Sequence, residues 1–197
     1  MRSNVCKIEN GTRDLAMILK ESEKVAAYNA LDQKQTLQLR LLCEELDGML
    51  PKIVDEFDGA LWIDFEDGVC KIHLSIQFAE FSMKKKKEMI AVAKDKKNAA
   101  TKGIVAKIGA AIEEFFLNPD NFQPFNMTSG LYGAAVGYGI EGPCQWTLEE
   151  YKATVKKAKK AEAWDELEKS VLASLADDVI VGVKGLNAEV VIVKKFA

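Results

Sequence analysis

Histidine is nearly missing from this chain: His73 stands alone among 197 residues. A multi-histidine zinc site, and most Ser-His-Asp or Cys-His catalytic sets, would have to be built on that one side chain. Within the alternating run around it, His73 reads as a polar residue turned toward solvent. Prolines number four and cysteines four, Cys6, Cys43, Cys70 and Cys144, with no C-x-x-C pair. Thiols so widely spread read as reduced and buried, not as a disulfide framework. No stretch reaches the roughly 18 apolar residues that a membrane span needs. The opening MRSNVCKIEN has no apolar leader core, so the expectation is a cytoplasmic chain with no membrane partner. Net charge is small as well, −3, so charge must be judged by its placement.

What is present is a globular balance, 48% hydrophobic and 29% charged, which excludes disorder and fibrous classes. The length suits one domain, residues 1–197, with a helical and loop-rich elaboration over 83–176. Val5 to Ile8 alternates as a short strand. Gly11-Thr12 reads as a turn and cap before a helix whose buried face is Leu15, Ile18, Leu19, Ser22 and Ala26. A second helix is predicted from about Thr36 to Phe57, striped by Leu42, Leu46, Met49, Ile53 and Phe57. Pro51 inside it predicts a kink.

Two hairpins follow from period-two alternation. The first pairs Leu61, Ile63 and Phe65 with Cys70, Ile72, Leu74, Ile76 and Phe78 across Asp67-Gly68. The second pairs Val179, Val181 and Val183 with Val190 to Val193 across Gly185-Leu186-Asn187. Between them, helices are predicted over Met83–Ala93, Ala99–Leu117 and from Thr147 to Leu175 with a break near Ala161. Thr147 and Glu150 have capping-box spacing. Asn118 to Pro143 reads as a loop. Strand, helix, helix, hairpin, helices, hairpin argues for an α+β fold. The expectation is an antiparallel-rich mixed sheet holding both hairpins, covered by helices on one face.

The segment Leu39-Arg40-Leu41-Leu42-Cys43-Glu44-Glu45-Leu46-Asp47-Gly48-Met49, in that setting, resembles the first nucleotide-site helix of the GHKL superfamily of histidine-kinase-like ATPases. The likeness is to the anti-sigma-factor and serine-kinase branch, in which a strand and a helix precede a helix bearing Glu and Asn four residues apart. That spacing puts both side chains on one face, one turn apart. In the family the Glu activates a water or hydroxyl and the Asn ligates magnesium. The resemblance therefore implies Glu45 as the catalytic base. It places Met49 at the magnesium ligand's position, where a thioether is a poor ligand for a hard cation. Reading Glu44 as the base instead would put Gly48 there. As residues alone, Glu44 and Glu45 read as the wet edge of an amphipathic helix.

The family's Asp-x-Gly-x-Gly, whose Asp receives the adenine amino group, corresponds to Leu74-Ser75-Ile76-Gln77-Phe78-Ala79-Glu80-Phe81-Ser82. Gln77 and Glu80 are the residues there able to accept that bond. The glycine-rich lid corresponds to Asn98-Ala99-Ala100-Thr101-Lys102-Gly103-Ile104, which implies Thr101, Lys102 and Gly103 at the phosphates. A rival placement makes the Asp165 to Leu175 helix the family's last helix, and both stay open. The implied fold is a Bergerat-like sandwich with a helical insertion.

Between Met83 and Lys102 eight lysines face two acids, without arginine or aromatic residues. That composition suits a solvated face or a phosphate contact and argues against nucleic-acid recognition. Gly137, Gly139 and Gly142 spell G-x-G-x-x-G, but Pro143 follows at once and no βαβ unit surrounds them, so they do not read as a Rossmann turn. Two functions stand as expectations. One is an ATP-binding, anti-sigma-factor-like serine kinase, ATPase or signalling regulator with weak or lost ATP chemistry. The other is a non-catalytic protein-interaction module in bacterial-type signalling. Either implies a protein partner, regulatory or sigma-factor-like, and allows a homodimer.

Overall fold

A computed structural model describes residues 1–9, 14–53, 57–78, 104–117, 145–158, 161–184 and 187–196. In chain order the elements are β1 (Cys6–Glu9), α1 (Leu15–Tyr28), α2 (Gln33–Ile53), β2 (Phe57–Glu66) and β3 (Val69–Phe78). They continue with α3 (Ile104–Leu117), β4 (Gln145–Thr147), α4 (Leu148–Lys157), α5 (Ala161–Lys169), α6 (Val171–Leu175), β5 (Asp178–Lys184) and β6 (Asn187–Lys195). The fold is α+β. Both hairpins lie in one six-stranded sheet of order β1-β2-β3-β6-β5-β4, joined where β3 pairs with β6. Every pairing among these strands is antiparallel, so the expected mixed character is absent from them.

Alternation decides which side chains enter the core. Leu61, Ile63 and Phe65 of β2, Cys70, Ile72, Leu74 and Ile76 of β3, and Val190 and Ile192 of β6 share one inner face. Ile18 and Val25 of α1 pack into the same cluster, as do Leu39, Leu42, Leu46 and Met49 of α2. The helices between β3 and β5 enter it too, through Ile104, Ile108, Leu148, Val155, Leu167 and Leu172. The outer face carries a small apolar cluster of its own, Ile180, Val191 and Val193 with Val69 against it.

The tight turn of the first hairpin is built as the Asp-Gly pair requires. Asp67 and Gly68 have φ of 50° and 76°, the left-handed pair that matches strand twist in a two-residue loop. Gly59 meets a different constraint. A Cβ there would lie 2.8 Å from the Ser75 carbonyl oxygen, which is backbone and cannot swing away. Gly59→Ala should therefore cost about 1–3 kcal/mol, as overpacking does, read as a lower urea midpoint at unchanged m-value. An unchanged midpoint would show that β2 and β3 are further apart than described.

Several boundaries depart from expectation for physical reasons. Phe57 is the first residue of β2, on the inner face with Leu61, and not the end of the α2 stripe. Pro51 falls in the last turn of α2, so only the final residues lie beyond the donor it removes. The α1 cap is Asp14, whose carboxylate accepts from the Met17 N–H. Thr147 caps α4 by accepting from Glu150 N–H at 3.2 Å, as its spacing predicts. The predicted Met83–Ala93 helix, the Asn118 to Pro143 loop and the G-x-G-x-x-G glycines lie outside the described residues.

Candidate functional site

The residues singled out on α2 separate in space. Glu45 is half-buried, and Met49, one turn later, has 0% of its surface exposed inside the core cluster. Glu44 is drawn to Arg40, 3.8 Å away on the same helix, and Arg40 also donates to Glu23 of α1 at 2.6 Å. That is an ordinary helix-pairing network. Gln77 is exposed on β3 and belongs to the outer row with Ser75 and His73, whereas α2 packs on the inner row. Glu45 and Gln77 therefore stand on opposite sides of the sheet and cannot hold one nucleotide between them. Glu80, Thr101, Lys102 and Gly103 lie outside the described residues. A core thioether presents neither an oxygen nor an accessible atom, so this donor set does not fit a magnesium–nucleotide complex.

The structure assembles a different group, on the outer face. Arg2 donates to both oxygens of Asp64, from Nε at 2.7 Å and from Nη2 at 2.8 Å. Its guanidinium carbon also lies 6.0 Å from the Trp62 ring. Trp62 stacks on His73, with centroids 4.9 Å apart and planes 6° from parallel. His73 is 4% exposed, which corrects its reading as a solvent-facing residue. Its Nδ1 is 3.1 Å from Glu189 Oε1 and its Nε2 is 3.4 Å from Asp64 Oδ2. Beside it, in the β3–β6 register, is the buried Val191.

Part of this array was readable. A two-residue turn at Asp67-Gly68 fixes the register of β2 against β3, and that register sets Trp62 opposite His73. Glu189 was not readable, because no local turn links β3 to β6.

The charges are ordered by contact. The Arg2 hydrogen bonds hold the Asp64 carboxyl below its ordinary range; burial opposes this, while the Arg2 and His73 charges and the Trp62 indole reinforce the lowering. Glu21 of α1, 5% exposed, is also held low, first by its bond from Lys24 and also by the Asn4 N–H. Both carboxylates thus tie residues 2–4 to the body of the fold.

A lowered carboxyl stabilises the fold above the usual carboxylate range, and that contribution is lost as pH falls through the lowered value. Asp64→Asn should therefore weaken the protein at neutral pH, with the gap in urea midpoint narrowing as pH falls below the ordinary carboxylate range. A gap of constant size would contradict the Arg2–Asp64 assignment.

Cys6, Cys43 and Cys70 are free and buried. Burial pushes the Cys70 thiol up to about 12 and the Cys43 thiol well above its ordinary value, so neither is a nucleophile. Among the described residues no group of three or more His, Cys, Asp or Glu is placed to hold a metal ion. No helix among them is long and apolar enough to cross a membrane. No known protein family, no curated protein and no solved structure matches the chain.

Proposed function

We propose that the chain is a GHKL-like, ATPase-domain protein related to the anti-sigma-factor and serine-kinase branch, acting as a regulator through a protein partner. In this reading magnesium-dependent phosphoryl transfer has been lost. The observation that carries it is Met49: the position assigned to the metal-binding Asn is held by a thioether with 0% exposure. Support for the fold assignment comes from the order strand, helix, helix, hairpin, with both helices packed on one face of the sheet that holds both hairpins.

Recognition then falls to the surface. Tyr28 and Leu37, at 75% and 56% exposure, are the most exposed large apolar side chains of α1 and α2. Cytoplasmic signalling is the setting in which such a module would work.

A thermal-shift titration with ATP and ADP, in magnesium and in chelator, tests the loss of metal chemistry. Binding at about a hundred times the dissociation constant would add roughly 2.7 kcal/mol of stability. The expected result is no stabilisation that depends on magnesium. A magnesium-dependent rise of that size would restore the serine-kinase or ATPase reading, with Glu45 as its base.

A further inference from the structure

Among the described strands the sheet ends on two edges, β1 and β4. With only three residues, β4 offers little for another chain to pair with. The β1 edge is different. Ile63 and Phe65 of β2 bond through their backbones to Ser3 and Met1. Backbone groups alternate in direction along a strand, so Leu61 and Gly59 face the same way, toward their register partners Cys6 and Ile8. The N–H and C=O groups of Lys7 and Glu9 therefore point away from β2, where no described strand meets them.

The side chains along this edge complement a copy of themselves. Lys7 and Glu9 are both exposed, on the outer face of β1. A lysine alone on an edge would repel its own copy, which is one way proteins keep edges unpaired. Set antiparallel about Ile8, two copies of β1 instead bring each Lys7 opposite the partner's Glu9. Both residues turn their N–H and C=O groups to the open edge, so backbone hydrogen bonds form at both pairs. Glu9 also stands beside Asp58 in the β1–β2 register, like charges that a lysine across the edge would offset. Helix α1 adds apolar area beside the strand. Its Glu21 accepts from the Asn4 N–H, which turns that side of the helix toward the edge. Met17, one turn before Glu21, and Tyr28, two turns after it, lie on the same side and are exposed, as is Val5 beside β1.

We infer that the chain pairs with a second copy of itself through β1, joining two six-stranded sheets into one across an antiparallel seam. The seam is centred on Ile8, with Lys7 opposite the partner's Glu9 and with Val5, Met17 and Tyr28 beside it. No residue of α2 takes part, so this pairing and the proposed loss of magnesium chemistry can fail separately.

Sedimentation equilibrium of the full chain tests it, with Glu9→Lys and the double variant Lys7→Glu/Glu9→Lys beside the parent. The parent should reach twice its 21.8 kDa as concentration rises. Glu9→Lys sets lysine against lysine at both pairs and should weaken the dimer by about tenfold or more. The double variant exchanges the two charges, restores opposite pairs and should recover most of that loss. Both side chains are exposed, so neither change should disturb the fold. Amide exchange gives a second reading that needs no variant. The Lys7 and Glu9 N–H groups should be protected where the dimer forms and should exchange freely on dilution. A dimer that Glu9→Lys leaves unchanged, or a double variant that stays as weak as the single one, would overturn the inference. So would a parent that remains monomeric up to about 1 mM with both amides unprotected, which would leave the edge to an extended segment of a different protein.

Discussion

Met49→Asn should lower the stability of the fold by about 2–4 kcal/mol, combining lost apolar burial with an amide that has no partner in the core. Met49→Leu, close in volume, should cost less than about 1.5 kcal/mol. The pair separates polarity from size. Met49 has no exposed surface and packs in the cluster formed by α1, α2 and the inner sheet face. An asparagine there therefore gains no access to a metal and loses its water. Urea unfolding of both variants gives the comparison directly. If Met49→Asn were as stable as the parent and acquired metal-dependent nucleotide affinity, the side chain would have to face a site and not the core.

Leu74→Ala should be at least as damaging, at about 2–5 kcal/mol, the range for emptying a closed core position. Leu74 is 0% exposed at the centre of the sheet, opposite Leu61 on one side and Val190 on the other. Those neighbours are held by two ladders of backbone bonds, so they cannot collapse into the void. The loss should appear as a lower midpoint with an unchanged m-value, because the surface exposed on unfolding is nearly the same. A cost below about 1 kcal/mol would mean that β3 is not the centre of the core.

Most of the fold was legible where a local signal was strong. Asp67-Gly68 between two alternating runs gave the first hairpin and its register, and the one-sided apolar pattern predicted that helices cover a single face. Local signals failed where two periods overlap. Phe57 follows Ile53 by four residues and so extends a helical stripe, yet it also shares the parity of Leu61 and Ile63, and the sheet claimed it. Gln145–Thr147 is too short for any period to show, and it exists because β5 offers an edge to pair with.

The candidate site was less legible for a related reason. Spacing on α2 brought Glu45 and Met49 onto one face, but only the packed structure shows that Met49 points into the core and that Gln77 lies across the sheet. His73 was misjudged in the opposite direction. Parity put it correctly on the outer face, and parity cannot reveal that Trp62, Val191 and two carboxylates enclose it there.

The most direct test of the central reading is calorimetric titration of the full chain with ATP, once in magnesium and once in chelator, at matched ionic strength. The same result is expected in both: no binding, or weak binding indifferent to the metal, because the ligand position holds a buried thioether. Tight binding in magnesium that chelator abolishes would contradict it, and would place a working metal–nucleotide site in this fold.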